Sequence, residues 1–268
     1  MDSHGGAGVV LTVIRVVAET GSSNADLLAV ARTGAAEGEW LVAERQTAGR
    51  GREGRVWSSP AGNLYASTLI RLREGDPPAP GLALVAGVAL EETAALFLVQ
   101  VASSARAGAT MWGDGEAGRR VPGAELRLKW PNDLLLGGAK LAGILLERQE
   151  DAVVAGFGVN LAHHPELLDR PVTHIGAHAP APPALTFVEA LAETFARWLA
   201  RWRAEGLAPV RARWLERAHP IGTLLAAAMP EGGRTEGLFD GLTEDGALRL
   251  RLADGTRRVI HAGDVFLL

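Results

Sequence analysis

The chain has 268 residues and a mass of 28.1 kDa, enough for one large domain or a catalytic domain with a small appendage. Hydrophobic residues make up 47% and charged residues 22%, so the chain can bury a sizeable core and disorder is excluded as its default state. A net charge of −4 excludes a strongly basic nucleic-acid coat, and the lack of cysteine excludes a disulfide framework, thiolate zinc sites and a cysteine nucleophile.

The start, Met1 to Gly8, has no basic region followed by an apolar core, so no export signal is expected. Val9 to Val17 is rich in β-branched residues and predicts a strand. Ser22, Ser23 and Asn24 follow, and Ser23 with Asp26 resembles a capping box opening a helix over Ala25 to Arg32. Trp40 to Glu44 predicts a second strand. Gln46 to Asn63, with its glycines and Pro60, predicts a loop, and Leu64 to Leu72 a third strand. Gly75 to Pro80 is a Pro-rich turn before a mostly apolar helix reaching Ala102. Glu91 and Glu92 lie in the middle of that helix, where two carboxylates at bilayer depth would be costly. A buried helix is therefore expected, with no membrane partner and a cytoplasmic location.

Ser103 to Gly123 is polar and Gly-rich and predicts a flexible insertion. Glu125 to Trp130, Asp133 to Leu136, Lys140 to Arg148 and Ala152 to Leu161 predict successive strands, and their tight turns favour antiparallel pairing. Pro165 to Pro183 is irregular, and Ala184 to Arg203 and Ala208 to Ala218 predict helices. After His219-Pro220 the leucines at 248, 250 and 252 alternate with arginines, and Asp245-Gly246 and Asp254-Gly255 signal hairpins. The chain is thus expected to divide into residues 1–219 and a β module over 220–268. Of the seven histidines, at positions 4, 163, 164, 174, 178, 219 and 261, only His163-His164 and the His174 to His178 pair have a metal-like spacing, and both pairs are expected to be bland surface residues.

Two segments carry chemistry. Gly49-Arg50-Gly51-Arg52-Glu53-Gly54 formally matches the dinucleotide fingerprint, but that site needs a strand-to-helix turn, and Pro60 and the nearby glycines forbid a long helix here. Without a lysine followed by Ser or Thr it is not a Walker loop either. Its glycines free backbone N–H groups, and Arg50, Arg52 and Arg55 add forked positive charge suited to phosphate or carboxylate. The second segment is Lys129-Trp130-Pro131-Asn132-Asp133 followed by Lys140-Leu141-Ala142-Gly143-Ile144-Leu145. Pro131 ends a strand, Asn132 and Asp133 stand on a turn, and Lys129 and Lys140 at adjacent strand ends can flank one anion. Gly143 permits close backbone approach. Read alone, either segment equally fits a solvated turn with exposed charges.

Taken with Gln46-Thr47-Ala48 ahead of the loop, Glu19 and Ser22-Ser23-Asn24 upstream and Gly156-Phe157-Gly158-Val159-Asn160 downstream, these segments resemble the biotin protein ligase family in order and spacing. The resemblance spans roughly Val13 to Leu161. It implies an α+β fold, a largely antiparallel or mixed sheet flanked by helices of the class II synthetase-like kind, with a C-terminal SH3-like β-barrel. It also implies an ATP-dependent ligase of two half-reactions. Biotin and MgATP give biotinyl-5′-AMP, and a lysine of a biotin carboxyl carrier domain, such as that of acetyl-CoA carboxylase, then takes the biotinyl group.

By resemblance, Lys140, Arg50 and Arg52 are catalytic. Ser22, Ser23, Gln46, Gly49, Arg50, Lys140 and Gly143 bind biotin; Arg52, Arg55, Trp57, Lys129, Asn132 and Asn160 bind the nucleotide; and Asp133 orients magnesium or its waters. Alternatives stay open for some: helix capping for the serines, a loop anchor for Trp57, a satisfied turn for Asn160. The family loop often has a basic residue where Glu53 stands, and Glu53 is expected to pair with Arg50, Arg52 or Arg55. Repressor-type members carry an N-terminal helix-turn-helix; with a strand from about Val9 none is expected here, nor a nucleic-acid partner. Family edge strands can pair subunits into a homodimer. The rival readings are a lipoate or octanoate ligase and a non-catalytic biotin or adenylate sensor.

Overall fold

The structure is a computed structural model that describes residues 13–107, 125–166, 170–229 and 232–268. The start of the first expected strand, most of the expected insertion and His4 lie outside the described residues. Strand β1 (Val13–Thr20) is followed by helix α1 (Ser23–Ala31), β2 (Glu39–Gln46) and β3 (Leu64–Arg71). The long α2 (Leu82–Ala107) precedes β4 (Leu126–Lys129), β5 (Asp133–Leu136), β6 (Ala139–Gln149) and β7 (Ala152–Val159). Helices α3 (Ala184–Glu205) and α4 (Ala208–Glu216) then lead to β8 (Leu224–Ala228), β9 (Arg234–Leu242), β10 (Leu248–Arg251), β11 (Arg257–Ile260) and β12 (Asp264–Leu267).

The first seven strands form one sheet in the order β1-β2-β3-β7-β6-β5-β4. The β1–β2 pair is parallel, as it must be with α1 as the crossover between them. The other pairs are antiparallel, which matches the tight turns of the sequence. Central β3 is buried along nearly its whole length, without the alternation expected of a one-faced strand. Helices on both sides of the sheet are the cause. On one face α1 packs on β3 and β7, burying Leu27, Ala31, Leu41, Leu69, Ala152 and Val154 together. On the other, α2 and α3 cover a larger core in which Trp40 stacks on Phe157 and both meet the edge of Phe195.

The stretch Ala79–Leu98 is long and apolar enough to cross a membrane by length and composition, yet 67% of its most apolar window is buried inside this fold. Glu91 is 1% exposed and is held by Arg213 at 2.7 Å and Arg217 at 3.3 Å. Those two arginines tie α2 to the end of α4, so the interruption of the apolar pattern is the helix's packing contact.

The last five strands form an antiparallel sheet in the order β11-β10-β9-β8-β12. Gly246 and Gly255 take φ of 87° and 82° at the two hairpins read from sequence. This sheet does not stand apart. Leu225, Phe239, Leu248 and Val265 belong to the same hydrophobic cluster as α2 and the first sheet, and the Trp130 indole donates to the Gly246 carbonyl at 3.1 Å.

Candidate active site

A cavity of about 500 Å³ opens where the first sheet, the 46–63 loop and the last strand meet, a size usual for a small-ligand site. Its most polar wall begins at α1. The expected capping box is absent: the Asp26 carboxylate accepts from the Thr20 hydroxyl instead, and Ser22 precedes the helix without a side-chain cap. Ser23 is 4% exposed and turned to the sheet. Its N–H donates to Gln46 Oε1 at 2.8 Å, and its hydroxyl lies 3.0 Å from that oxygen and 2.7 Å from Ser67 Oγ. Ser67 donates to Asn24 Oδ1 at 2.6 Å, and Asn24 Nδ2 donates to Glu147 and to the Leu145 carbonyl. Gln46 Nε2 completes the row with Ser59. A buried row of this kind holds its dipoles fixed before a ligand arrives. Gly156 lets α1 lie this close, because a Cβ there would overlap the Asn24 amide.

The 46–63 segment is a hairpin folded on itself, with no crossover helix after it. Trp57 N–H donates to the Gly49 carbonyl at 2.9 Å, Arg50 bridges Val56, and Arg52–Gly54 makes one 3-10 turn. Glu53 sits at φ 56°, in the left-handed region, and its carboxylate lies 3.9 Å from Arg55, the pairing expected of it. Gly49 is needed for this fold: a Cβ would stand 2.5 Å from Ser59 Oγ and from the Trp57 carbonyl. It is buried inside the loop and does not line the cavity, so the free approach to a ligand expected there is taken by the loop's own backbone. Arg50 is exposed beside the cavity, whereas Arg52 and Arg55 reach across to the last strand.

Trp57 lies on the cavity floor over Gly143 and Gly158, which face each other across β6 and β7. A Cβ on Gly158 would come within 2.6 Å of the indole and one on Gly143 within 3.2 Å. The close approach expected at Gly143 is therefore made to Trp57. The indole nitrogen is buried without a partner, and the Lys140 ammonium lies 5.4 Å from the ring centre.

Lys140 Nζ meets Asp133 Oδ1 at 2.5 Å, and Lys129 Nζ lies 3.5 Å from the other oxygen. Both lysines and Asp133 are largely buried. Burial pushes the Lys129 ammonium below its usual range, Asp133 opposes that shift, and Lys140 adds to it. With each carboxylate oxygen facing an ammonium, Asp133 acts as the counter-ion of the lysine pair, and among the described residues no group of three or more His, Cys, Asp or Glu could hold a metal ion. Asn132 and Asn160 both line the cavity, but their amides are spent on the chain: Asn132 Nδ2 on the Ile144 carbonyl at 2.6 Å, Asn160 Nδ2 on the Thr173 carbonyl at 2.9 Å.

The two histidine pairs are not bland surface residues but are bonded into the fold. His164 and His174 share an Nδ1···Nδ1 hydrogen bond of 2.7 Å, His178 bonds Thr173, and His163 contacts Asn63 and the Ala61 carbonyl. The His164–His174 bond ties residues 161–166 to the irregular 170–178 segment. Its Thr173 N–H and Pro171 carbonyl bond the backbone of Lys140, so the tie also steadies the lysine.

Residues 18–161 match the family described as biotin/lipoate A/B protein ligase, and residues 226–268 match the biotin protein ligase C-terminal domain. The chain belongs to the biotin/lipoate A/B protein ligase family. It is 37% identical to a biotin–[acetyl-CoA-carboxylase] ligase of Paracoccus denitrificans over 94% of this chain and 99% of that one. It is 35% identical to a ligase of the same name from Mycobacterium tuberculosis over 97% and 91%. In fold it is similar to the biotin protein ligase of Aquifex aeolicus solved with biotin and ATP, with a TM-score of 0.77 at 22% identity, covering 96% of this chain and all of that one (100%).

Within this ligase-family cavity, sequence reasoning missed Arg170, Asp264, Val265 and Phe266 and gave Asn24 no role; it also missed Ser67, which is outside the lining but bonds Ser23 and Asn24. Asn24 was legible, since it directly follows the two serines. Ser67 is one polar residue in a buried strand, a usable signal. The last-strand residues carry no local mark.

Proposed function

We propose that this protein activates biotin with MgATP to biotinyl-5′-AMP and transfers the biotinyl group to a lysine of a biotin carboxyl carrier domain. Near-full-length likeness to two biotin–[acetyl-CoA-carboxylase] ligases supports it. The observation that carries it to these residues is the meeting, in one cavity, of a buried polar row for an uncharged ring head with six cations for acidic groups: Arg50, Arg52, Arg55, Lys129, Lys140 and Arg170. In the first step a carboxylate oxygen of biotin attacks the α-phosphorus and the bond to the departing pyrophosphate breaks. Two anions must approach, and fixed ammonium and guanidinium groups lower that barrier. In the second step the carrier amine attacks the acyl carbon, an amide forms and AMP leaves.

In this reading Ser22, Ser23 and Gln46 meet the ureido ring, and Lys140 meets the carboxylate and then the acyl phosphate. Lys129, Arg52 and Arg55 meet the phosphates. Trp57, free at its N–H, floors the cavity and walls the ligand between ring and adenine. The metal arrives with the nucleotide, and Asp133 sets the positions of Lys129 and Lys140 rather than carrying it. The division at 219/220 falls in the connection between the end of α4 at Glu216 and the start of β8 at Leu224. A cytoplasmic location suits an enzyme with this carrier substrate, and the exposed Val13 and Val16 of edge strand β1 make β1 our candidate for a homodimer contact.

The test is biotin-dependent exchange of labelled pyrophosphate into ATP, followed by streptavidin detection of a carrier domain. Exchange with lipoate but not biotin would replace this reading with a lipoate ligase. Biotin binding without exchange or labelling would replace it with a sensor.

A further inference from the structure

Arg52 and Arg55 do not point into empty cavity. Arg52 Nη1 donates to the Gly263 carbonyl at 3.1 Å and lies 3.4 Å from Asp264 Oδ1, while Arg55 Nη2 meets Asp264 Oδ2 at 2.6 Å. Arg55 Nε also donates to the Arg52 main-chain carbonyl at 3.2 Å, which ties the Arg55 guanidinium to the loop's own backbone. Asp264 opens β12, where it is paired with Ala228 of β8. Gly263 before it is pinned, because a Cβ there would overlap the Ala228 carbonyl. The acceptors therefore sit on rigid β structure and the donors on a hairpin loop held mainly by its own bonds.

Four of the six cations among the cavity's described lining residues are arranged in two sets. Among its described lining residues the carboxylates are Asp133 and Asp264. Asp133 balances the two lysines, and Asp264 balances the two arginines. Both sets face the space assigned above to the acidic parts of the ligand. A phosphate chain brought there offers the arginines oxygens of the same geometry and greater charge than one carboxylate. A carboxylate that holds them first must be displaced or shared.

We propose that Asp264 is a positioning residue that latches the arginine loop shut on the C-terminal strand, and that Arg52 and Arg55 exchange it for the nucleotide's phosphates. Resting on the ligase reading, this gives the C-terminal module a defined part in nucleotide binding. The latch keeps two like charges from driving the empty loop open, and it competes with ATP for them.

Two measurements on the full chain test it, in wild type and Asp264→Asn, with Asp264→Glu as the charge-retaining control. The first is the rate of tryptic cleavage after Arg50, Arg52 or Arg55 without any ligand, which does not depend on catalysis. The second is KM for ATP in the biotin-dependent exchange. The latch requires faster cleavage in Asp264→Asn and a KM for ATP lower by about two- to fivefold, the worth of a partly exposed ion pair, with KM for biotin unchanged and both effects reversed in Asp264→Glu. Unchanged cleavage, or a KM for ATP that stays or rises, overturns it. If wild type shows no exchange with biotin, the ligase reading fails while the cleavage comparison still decides the latch.

Discussion

Lys140 and Lys129 show how far a residue type and its spacing carry. Two lysines at neighbouring strand ends were legible as a pair that flanks an anion, and the hairpin delivers them to one carboxylate. Which anion they hold without ligand was not legible, because Asp133 reads equally well as a turn residue or a metal ligand until its oxygens are seen facing both ammonium groups. Lys140→Ala removes the charge nearest the reacting carboxylate while leaving the core intact. Biotin-dependent exchange should fall by about 10²-fold or more, the cost of losing one donor to a developing anion, in a protein that still folds but melts lower, since the buried Asp133 keeps only Lys129; exchange at the wild-type rate would remove Lys140 from the mechanism. Lys129 supplies a pH test. Its folded-state value is lowered, chiefly by burial, so it loses its proton at lower pH than a free lysine of about 10.4. The sign follows: charge is present at neutral pH and lost early as pH rises, and the buried cation costs stability below its folded value, a cost relieved as pH climbs past it. The alkaline limb of kcat/KM for ATP should therefore lie below that of a free lysine, and Lys129→Arg, always protonated, should move it upward. An identical limb in both proteins would show that Lys129 does not carry it.

At the scale of elements, the strands, helices and hairpins were largely readable, while the contacts between them were not. The serines at the start of α1 have the composition of a cap, yet the helix begins without a side-chain cap, and Ser23 faces the sheet and spends its hydroxyl on Gln46 or Ser67. Nothing local distinguishes these uses; only the arrival of β2 and β3 beside α1 decides. The loop and the β6–β7 pair are coupled in the same way. The glycines at 143 and 158 were visible, but the tryptophan that fills the space above them comes from a loop about a hundred residues away in sequence. Gly158→Ala should push the Trp57 indole off the floor and shift the hairpin, slowing exchange by about 10²-fold through misplacement. In Trp57→Ala the same glycine change should cost much less, since the clash is gone. Equal losses in both backgrounds, measured by exchange kinetics, would mean that the two sites are uncoupled.

The whole molecule departs most from the picture of a catalytic domain with an appended tail. The composition change near His219-Pro220 is real in sequence, but the hydrophobic cluster runs through both sheets, and the last strand walls the cavity with Asp264, Val265 and Phe266. A linear sequence marks a change of secondary structure; it does not mark a shared core. The same scale explains the two carboxylates that argued against a membrane span. Glu91 is buried against Arg213 and Arg217, and Glu92 binds Arg197, Arg213 and the Trp198 indole, joining α2, α3 and α4. Glu91→Ala leaves a half-buried Arg213 short of its partner and should destabilise the protein by about 3–5 kcal/mol, read as the shift in urea midpoint at constant slope. A change below about 1 kcal/mol, the worth of a surface pair, would show the network to be solvated.

The central pairing of β3 with β7 joins Arg71 to Ala152 and Leu64 to Val159, and α2 lies in the chain between them. In kinetic terms the sheet that α2 covers is closed by long-range contacts, which form slowly compared with a helix of local bonds. During refolding the most apolar helix of the molecule is therefore made early and buried late. Recovery of the native protein on refolding should therefore fall as protein concentration rises, limited by aggregation rather than by stability.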